Sequence, residues 1–337
     1  MSREQKMVPR ADFRSYYGRQ IVKTPVWRRD IAAYLFAGGL AAGSSLLAAG
    51  ADLAGQPALR RAGRLTSLAA LGASTYFLIN DLGRPKRFLN MLRVAKPTSP
   101  MSTGTWILAA FAPAAGLAAI SEFSTVLPEH GVPGLLRRAL PGAGTVAGIG
   151  AAALAPALGT YTAVLLADTA TPAWHAARDH LPFLFGGSAL ASAGGVGLVA
   201  APLSQAGPAR RLAVTGAALE LAAARRIEHG LGLLSEPYTR GRAGRLLRLS
   251  RALTSAGALG ALTGRRSRAL SALAGAALLA GSVATRFGVF EAGKASTVDP
   301  RYVVEPQRER LAERERLAQR TTSVTPARAS TSSPTTG

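Results

Sequence analysis

The chain has 337 residues, 48% of them hydrophobic and only 6% aromatic, with a formal charge of +22. Its apolar residues collect in long uncharged runs, which excludes an ordinary soluble domain and makes the bilayer the natural solvent. The basic residues fall between those runs, so they read as membrane-flanking charge and not as a nucleic-acid surface. With no cysteine, the chain cannot form a disulfide, use a thiol nucleophile or ligate an iron-sulfur cluster through thiolates.

Residues 1–30 read as a polar, basic arm without the apolar stretch of a secretory signal. Apolar stretches at 31–53, 65–82, 101–126 and 142–167 predict four membrane-spanning helices, and those at 181–203, 212–234, 246–262 and 269–290 predict four more. Abundant Ala and Gly, as in the small-xxx-small pair Gly39 and Gly43, predict close backbone packing. Glu220, Arg225, Arg226 and Glu228 interrupt the sixth stretch, while Arg248 and Arg251 shorten the seventh. Such charges have to snorkel or face protein. From Asp299 the chain is polar, with a charged stretch over 305–320 that suits a helix and then a Ser/Thr/Pro-rich end with a disordered composition.

An even number of spans puts both termini on one face. Lys and Arg are more numerous near that face, which under the positive-inside rule favours cytoplasmic termini. The opposite connections are also basic, through Arg60, Arg61, Arg64, Arg137, Arg138, Arg210, Arg211, Arg265, Arg266 and Arg268.

If the first four helices alternate in direction, Asp30 and Tyr34 open the first, Asn80 and Asp81 close the second, Trp106 enters the third, and Tyr161 and Asp168 lie toward the end of the fourth. All approach one membrane face, whereas the other end offers only Asp52 and Glu122. That asymmetry suits a lipid-soluble ligand with a polar head, such as a quinone: an apolar tunnel holds the tail while Tyr and carboxylate groups orient and protonate the head. The same residue types also serve as interfacial anchors, and both readings stand.

Between the second and third stretches, Gly83 can close a helix and Pro85 can stop its continuation. Arg84, Lys86, Arg87, Arg93 and Lys96 exceed what a turn needs, and suit an acidic partner or lipid phosphates. His130, His175 and His180 fall in loops and His229 near a helix end, so no facing pair is available for an intramembrane haem. His175 and His180 alone make a poor metal site. Glu220, near mid-bilayer, needs protonation, hydration or a partner such as Arg225 or Arg286; it reads as a proton-relay position or as one half of a helix-tying salt bridge.

Several segments together carry a family likeness. They are Trp27 followed by Tyr34-Leu35-Phe36-Ala37-Gly38-Gly39-Leu40-Ala41-Ala42-Gly43; the turn Asp81-Leu82-Gly83-Arg84-Pro85; and Lys96-Pro97-Thr98-Ser99-Pro100-Met101-Ser102 with Gly104-Thr105-Trp106. To these add Gly159-Thr160-Tyr161-Thr162 with Leu165 and Leu166, Thr171-Pro172-Ala173-Trp174, and Ala292-Gly293-Lys294-Ala295-Ser296. Through them nearly the whole chain resembles the NrfD/PsrC-type membrane subunits of polysulfide reductase, nitrite reductase and related molybdopterin oxidoreductases.

The resemblance implies an all-α integral membrane fold of about eight transmembrane helices in two four-helix bundles. These would be a first bundle over 31–168 and a second over 169–290, between the arm 1–30 and a partly disordered tail 291–337. It implies no haem, a menaquinone site in the first bundle, a docked four-cluster ferredoxin-like iron-sulfur subunit, and a large molybdopterin subunit beyond it. Alone, such a chain is catalytically inert. Family quinone contacts come from the start of the first helix and a Tyr of the fourth, here the region of Asp30 and Tyr34, and Tyr161.

The candidate site is then Asp30, Asp81 and Tyr161 for the chemistry and Asp30, Tyr34, Asn80, Trp106 and Tyr161 for holding quinone. Arg84, Lys86, Arg87 and Arg93 are candidates for partner docking, and Glu220 with Arg286 for a proton relay. Two departures matter. The arm has Arg28, Arg29 and Asp30 where polysulfide reductase members use His and Asn, and well-known relatives keep their catalytic subunits outside the cytoplasmic membrane, against the charge bias here. The rival reading is a proton- or ion-coupled small-solute transporter with Glu220 and Arg286 along its path. A purely structural anchor is the third.

Overall fold

The computed structural model describes residues 20–84 and 86–324. Most of the N-terminal arm, Pro85 of the turn motif and the Ser/Thr/Pro-rich end of the tail lie outside the described residues. In order, the helices are α1 (Arg29–Leu53), α2 (Pro57–Asp81), the short α3 (Arg87–Met91), α4 (Pro100–Ser121), α5 (Gly131–Ala167), the short α6 (Pro172–Ala176), α7 (Leu181–Ala200) and α8 (Gly207–Gly230). They continue with α9 (Glu236–Thr239), α10 (Gly241–Thr263), α11 (Arg268–Ser296) and α12 (Arg301–Val324). Among the described residues there is no strand.

Local chemistry sets the boundaries. A proline occupies the first turn of α2, α4, α7 and α8, where its missing N–H costs nothing. The side chains of Ser99 and Ser267 cap α4 and α11. Gly83, in the left-handed region at φ 66°, turns the chain after α2.

Five helices, α1, α4, α5, α7 and α11, are long and apolar enough to cross a membrane. α2, α8 and α10 are of comparable length but more charged. For α8 and α10 the interrupting charges are those expected from sequence. For α2 they come from an earlier start: Arg60, Arg61 and Arg64 lie on the helix and not in a loop. Arg137 and Arg138 likewise belong to α5, Arg210 and Arg211 to α8, and Arg268 to α11. Arg forms helix well and its stem is apolar, so a hydropathy window ends before the helix does. The charged stretch of the tail is helical, as α12.

α1 packs along α2, α5 and α7; α4 lies on α5, α8 on α7, and α11 bridges α7 and α10. Missing side chains permit these approaches. A Cβ on Gly43 of α1 would stand 2.2 Å from the carbonyl oxygen of Ala189 on α7, and one on Gly195 would stand 2.7 Å from that of Gly275 on α11.

The two ends of the helices are held differently. At one end, termed the arm face, residues 20–28 run across the structure: the Thr24 and Thr297 hydroxyls lie 2.9 Å apart, and Lys294 donates to the carbonyl of Trp27 at 3.3 Å. The wholly buried Trp174 of α6 stacks on Trp27 at 5.9 Å, donates through Nε1 to the Val289 carbonyl at 2.8 Å, and abuts Phe290. At the far face the backbone N–H of Ala58 donates to Gln205 at 2.8 Å, and Arg268 caps the end of α7 through the carbonyls of Leu198 and Ala201, both at 2.8 Å.

Candidate functional site

A cavity of about 360 Å³ opens at the arm face between α1, α2, α4 and α5. Ile31 and Tyr34 of α1, Thr75, Leu78 and Asp81 of α2, Gly104 and Leu108 of α4, and Tyr161 and Leu165 of α5 form its walls. Trp27 closes one side. Phe88, Met91 and Leu92, at helical spacing on and just after α3, also line it. Arg87 at the start of this short helix and Arg93 just after its end are exposed. One element therefore carries both cavity wall and surface cations.

The lining is overwhelmingly apolar, and most of its polar groups are already spent. Thr75 and Thr105 donate to carbonyls of their own helices, of Leu71 and Met101, at 2.9 Å. Among the described residues the hydroxyls of Tyr34 and Tyr161 have no hydrogen-bond partner, although both side chains are buried. The carboxylate of Asp81 accepts the backbone N–H of Arg28 at 3.0 Å and has no other partner among the described residues. Two phenols and a carboxylate thus keep hydrogen-bonding capacity in an apolar chamber. That is the composition of a small-molecule pocket.

Tyr161 owes its position to Gly104. A Cβ at residue 104 would lie 2.1 Å from Cε2 of the tyrosine ring, far inside van der Waals contact. The glycine lets the ring lie across α4.

Of the residues singled out from sequence, the structure brings Tyr34, Asp81 and Tyr161 together. Asp30 and Asn80 do not line the cavity; they bond each other at 2.8 Å, Asn80 Nδ2 donating to Asp30, beside Asp81. Trp106 does not line it either. It is 45% exposed and its indole donates to the Val94 carbonyl at 3.3 Å, holding the segment before α4. Asp168 is exposed at the end of α5. Arg84, Lys86, Arg87, Arg93 and Lys96 are all exposed at the arm face, with no carboxylate in ion-pair reach among the described residues. Sequence reading missed Thr75, Leu78, Phe88, Met91 and Leu92. The apolar spacing of the last three inside a basic segment was the available signal.

The second group lies between α7, α8, α10 and α11. Glu220 is 2% exposed and accepts from the hydroxyl of Thr285, which also lies against that of Ser250. Arg286 is wholly buried; Nη2 donates to the Phe185 carbonyl at 2.8 Å and the guanidinium lies 3.7 Å over the Phe185 ring. Glu220 and Arg286 do not form an ion pair, and Arg225 is exposed. Oε2 of Glu220 and Nε and Nη1 of Arg286 are buried without partners. A cavity of about 20 Å³ touches Glu220, Ser250, Thr285, Glu228 and Arg251, roughly the space one water needs. Arg251 and Glu228 are paired. His175 bonds the carbonyl of Ala167 at 3.0 Å, and among the described residues no three His, Asp or Glu come together as metal ligands.

An all-helical chain with five helices long and apolar enough to span a bilayer, and an apolar cavity opening at one end of them, has the architecture of an integral membrane protein. The polysulphide reductase NrfD family matches residues 20–218, more than half the chain and every helix around the cavity, so the chain belongs to that family. It is also similar to the C subunit of polysulfide reductase from Wolinella succinogenes, at 32% identity over 119 residues. That match spans 34% of this chain and 38% of the relative.

Proposed function

We propose that the chain is the quinone-reactive membrane anchor of a molybdopterin-type oxidoreductase, exchanging electrons between menaquinone and an iron-sulfur partner subunit. The observation that carries this reading is the cavity: an apolar chamber at the arm face, lined by the two unpartnered tyrosine hydroxyls of Tyr34 and Tyr161 and by Asp81. The family membership and the relative's name, that of a polysulfide reductase subunit, support a place in a reductase complex.

In this reading the quinone head lies between the two tyrosines, and its tail follows the apolar lining past Leu108 and Leu165. The Tyr161 hydroxyl donates to one quinone carbonyl. Reduction takes two electrons from the partner and two protons; Asp81 hands on protons at the cavity wall, with the Asp30–Asn80 pair next outward. Asn80 and Trp106 act by positioning. The exposed cations of residues 84–93 hold the iron-sulfur subunit over α3, and the large molybdopterin subunit lies beyond it. α2, α8 and α10 complete eight spans in two bundles, 31–168 and 169–290, in a bacterial plasma membrane. Glu220 and Arg286, each with buried unsatisfied atoms, form a proton relay in the second bundle.

Replacing Tyr161 by Phe in the purified complex tests the assignment. The expected result is a fall of about tenfold in quinone-linked kcat/KM, the worth of one hydrogen bond lost in an apolar site, with dye-linked activity of the soluble subunits unchanged. Full quinone-linked activity in Tyr161→Phe would remove the central role given to this residue.

A further inference from the structure

A second cavity, of about 540 Å³, opens at the far face between α2, the end of α4 and the first half of α5. Arg60, Arg61, Arg64, Glu122, Ser124 and Thr125 line it. Two of the arginines are spent. Glu122 accepts from Arg60 Nε at 2.8 Å and from Arg64 Nη1 at 2.9 Å; Asp52 accepts from Arg60 Nη1 at 3.2 Å and Arg64 Nη2 at 2.9 Å. This closed, neutral set of two carboxylates and two guanidiniums leaves Arg61 over.

Arg61 is exposed, has no carboxylate in ion-pair reach among the described residues, and its guanidinium carbon lies 5.7 Å from the centre of the Phe123 ring. Ser124 is 6% exposed yet lines the cavity with a hydroxyl that has no partner among the described residues. Nε of Arg64, whose residue is only 5% exposed, is unsatisfied behind it. Beside this polar lining, Leu117, Ile120 and Phe123 stand exposed at three-residue spacing along and just beyond α4. The place combines one net positive charge, the free hydroxyl of Ser124 and an apolar outer rail.

We propose that this cavity is a binding site for one monoanionic phospholipid. The phosphodiester sits against Arg61 and Ser124, its single charge matched by the single unpaired guanidinium, and the acyl chains run along Leu117, Ile120 and Phe123. Basic pockets between membrane helices hold anionic lipid in this manner. Free phosphate would meet the same donors but gain nothing from the apolar rail.

The test uses the full chain purified in a neutral detergent, with binding read by native mass spectrometry and stability by thermal unfolding. The probes are phosphatidylglycerol, phosphatidylcholine and inorganic phosphate. Phosphatidylglycerol is expected to bind about fivefold more tightly than phosphatidylcholine, the preference one interfacial arginine confers, and to raise the unfolding temperature. Arg61→Gln and, less strongly, Ser124→Ala should erase that preference, while Arg265→Gln, which removes another exposed far-face arginine, should keep it. Undiminished preference in Arg61→Gln, equal loss in Arg265→Gln, or the same stabilisation from inorganic phosphate would each overturn the proposal.

Discussion

Gly104 and Tyr161 are in contact across α4 and α5 so closely that the glycine has no room for a methyl group, a Cβ there standing 2.1 Å from the ring. Gly104→Ala is therefore expected to push the phenol off its position without unfolding α4, since alanine favours helix. Quinone-linked kcat/KM should fall by about tenfold, as for loss of one hydrogen bond. In a double-mutant cycle with Tyr161→Phe the two losses should be almost wholly non-additive. Additive effects would mean that the glycine acts elsewhere.

Trp174 has no exposed surface and ties α6 to α11 through the Val289 carbonyl and to the arm through Trp27. Trp174→Ala should cost about 3–5 kcal/mol in a denaturant titration of the solubilised chain. Trp174→Phe keeps much of the packing, so it should lose less stability. Both should loosen the Trp27 wall and raise the KM for quinone more than they lower kcat.

The far-face ion network supplies a different kind of stability. Removing Arg64 leaves Glu122, whose side chain is 5% exposed, with only Arg60. Arg64→Ala should destabilise the chain by about 3–5 kcal/mol, the cost of breaking a buried pairing and leaving two carboxylates on one guanidinium. Glu122→Gln in the same background should recover part of it, because Arg60 then balances the one carboxylate that remains, that of Asp52. Thermal unfolding of the two variants decides the point.

Docking at α3 is testable through charge. Arg87→Glu and Arg93→Glu should weaken association with the iron-sulfur subunit and flatten its dependence on salt, because opposite charges across an interface are screened by ions. Surface plasmon resonance at two ionic strengths measures this. Unchanged slopes would move the docking surface away from these residues.

Glu220→Gln preserves the bond from Thr285 but removes a transferable proton. In the reconstituted complex it is expected to leave quinone-linked electron transfer near wild type while lowering the pH change per electron in the vesicle lumen. A parallel fall in both would make Glu220 structural.

Much of the first cavity was legible because helix direction alternates. That rule alone carries Tyr34, Asp81 and Tyr161 to one face from positions far apart in sequence. It does not say which way round a helix each side chain points. α4 is nearly uniformly apolar, so no polar stripe distinguishes Gly104 and Leu108, which face the cavity, from Trp106, rotated about 200° from them. The arginines of α2 look like loop residues for a related reason: charge ends a hydropathy window but not a helix. Once on the helix, Arg60 and Arg64 find Asp52 and Glu122, carboxylates for which the sequence alone suggests no partners. The Gly104–Tyr161 contact had no sequence signal of its own, since nothing in a glycine names the ring that needs its space.

Trp27 belongs by position to the arm, lines the cavity with one side and rests on Trp174 with the other. The chamber is thus finished by a segment whose footing is near the opposite end of the chain, on Lys294 and Thr297. A fragment ending after α5 would keep both tyrosines and the aspartate yet lose the anchorage of one wall. The chamber is not a detachable half of this molecule; it is completed only when the last apolar helix comes home.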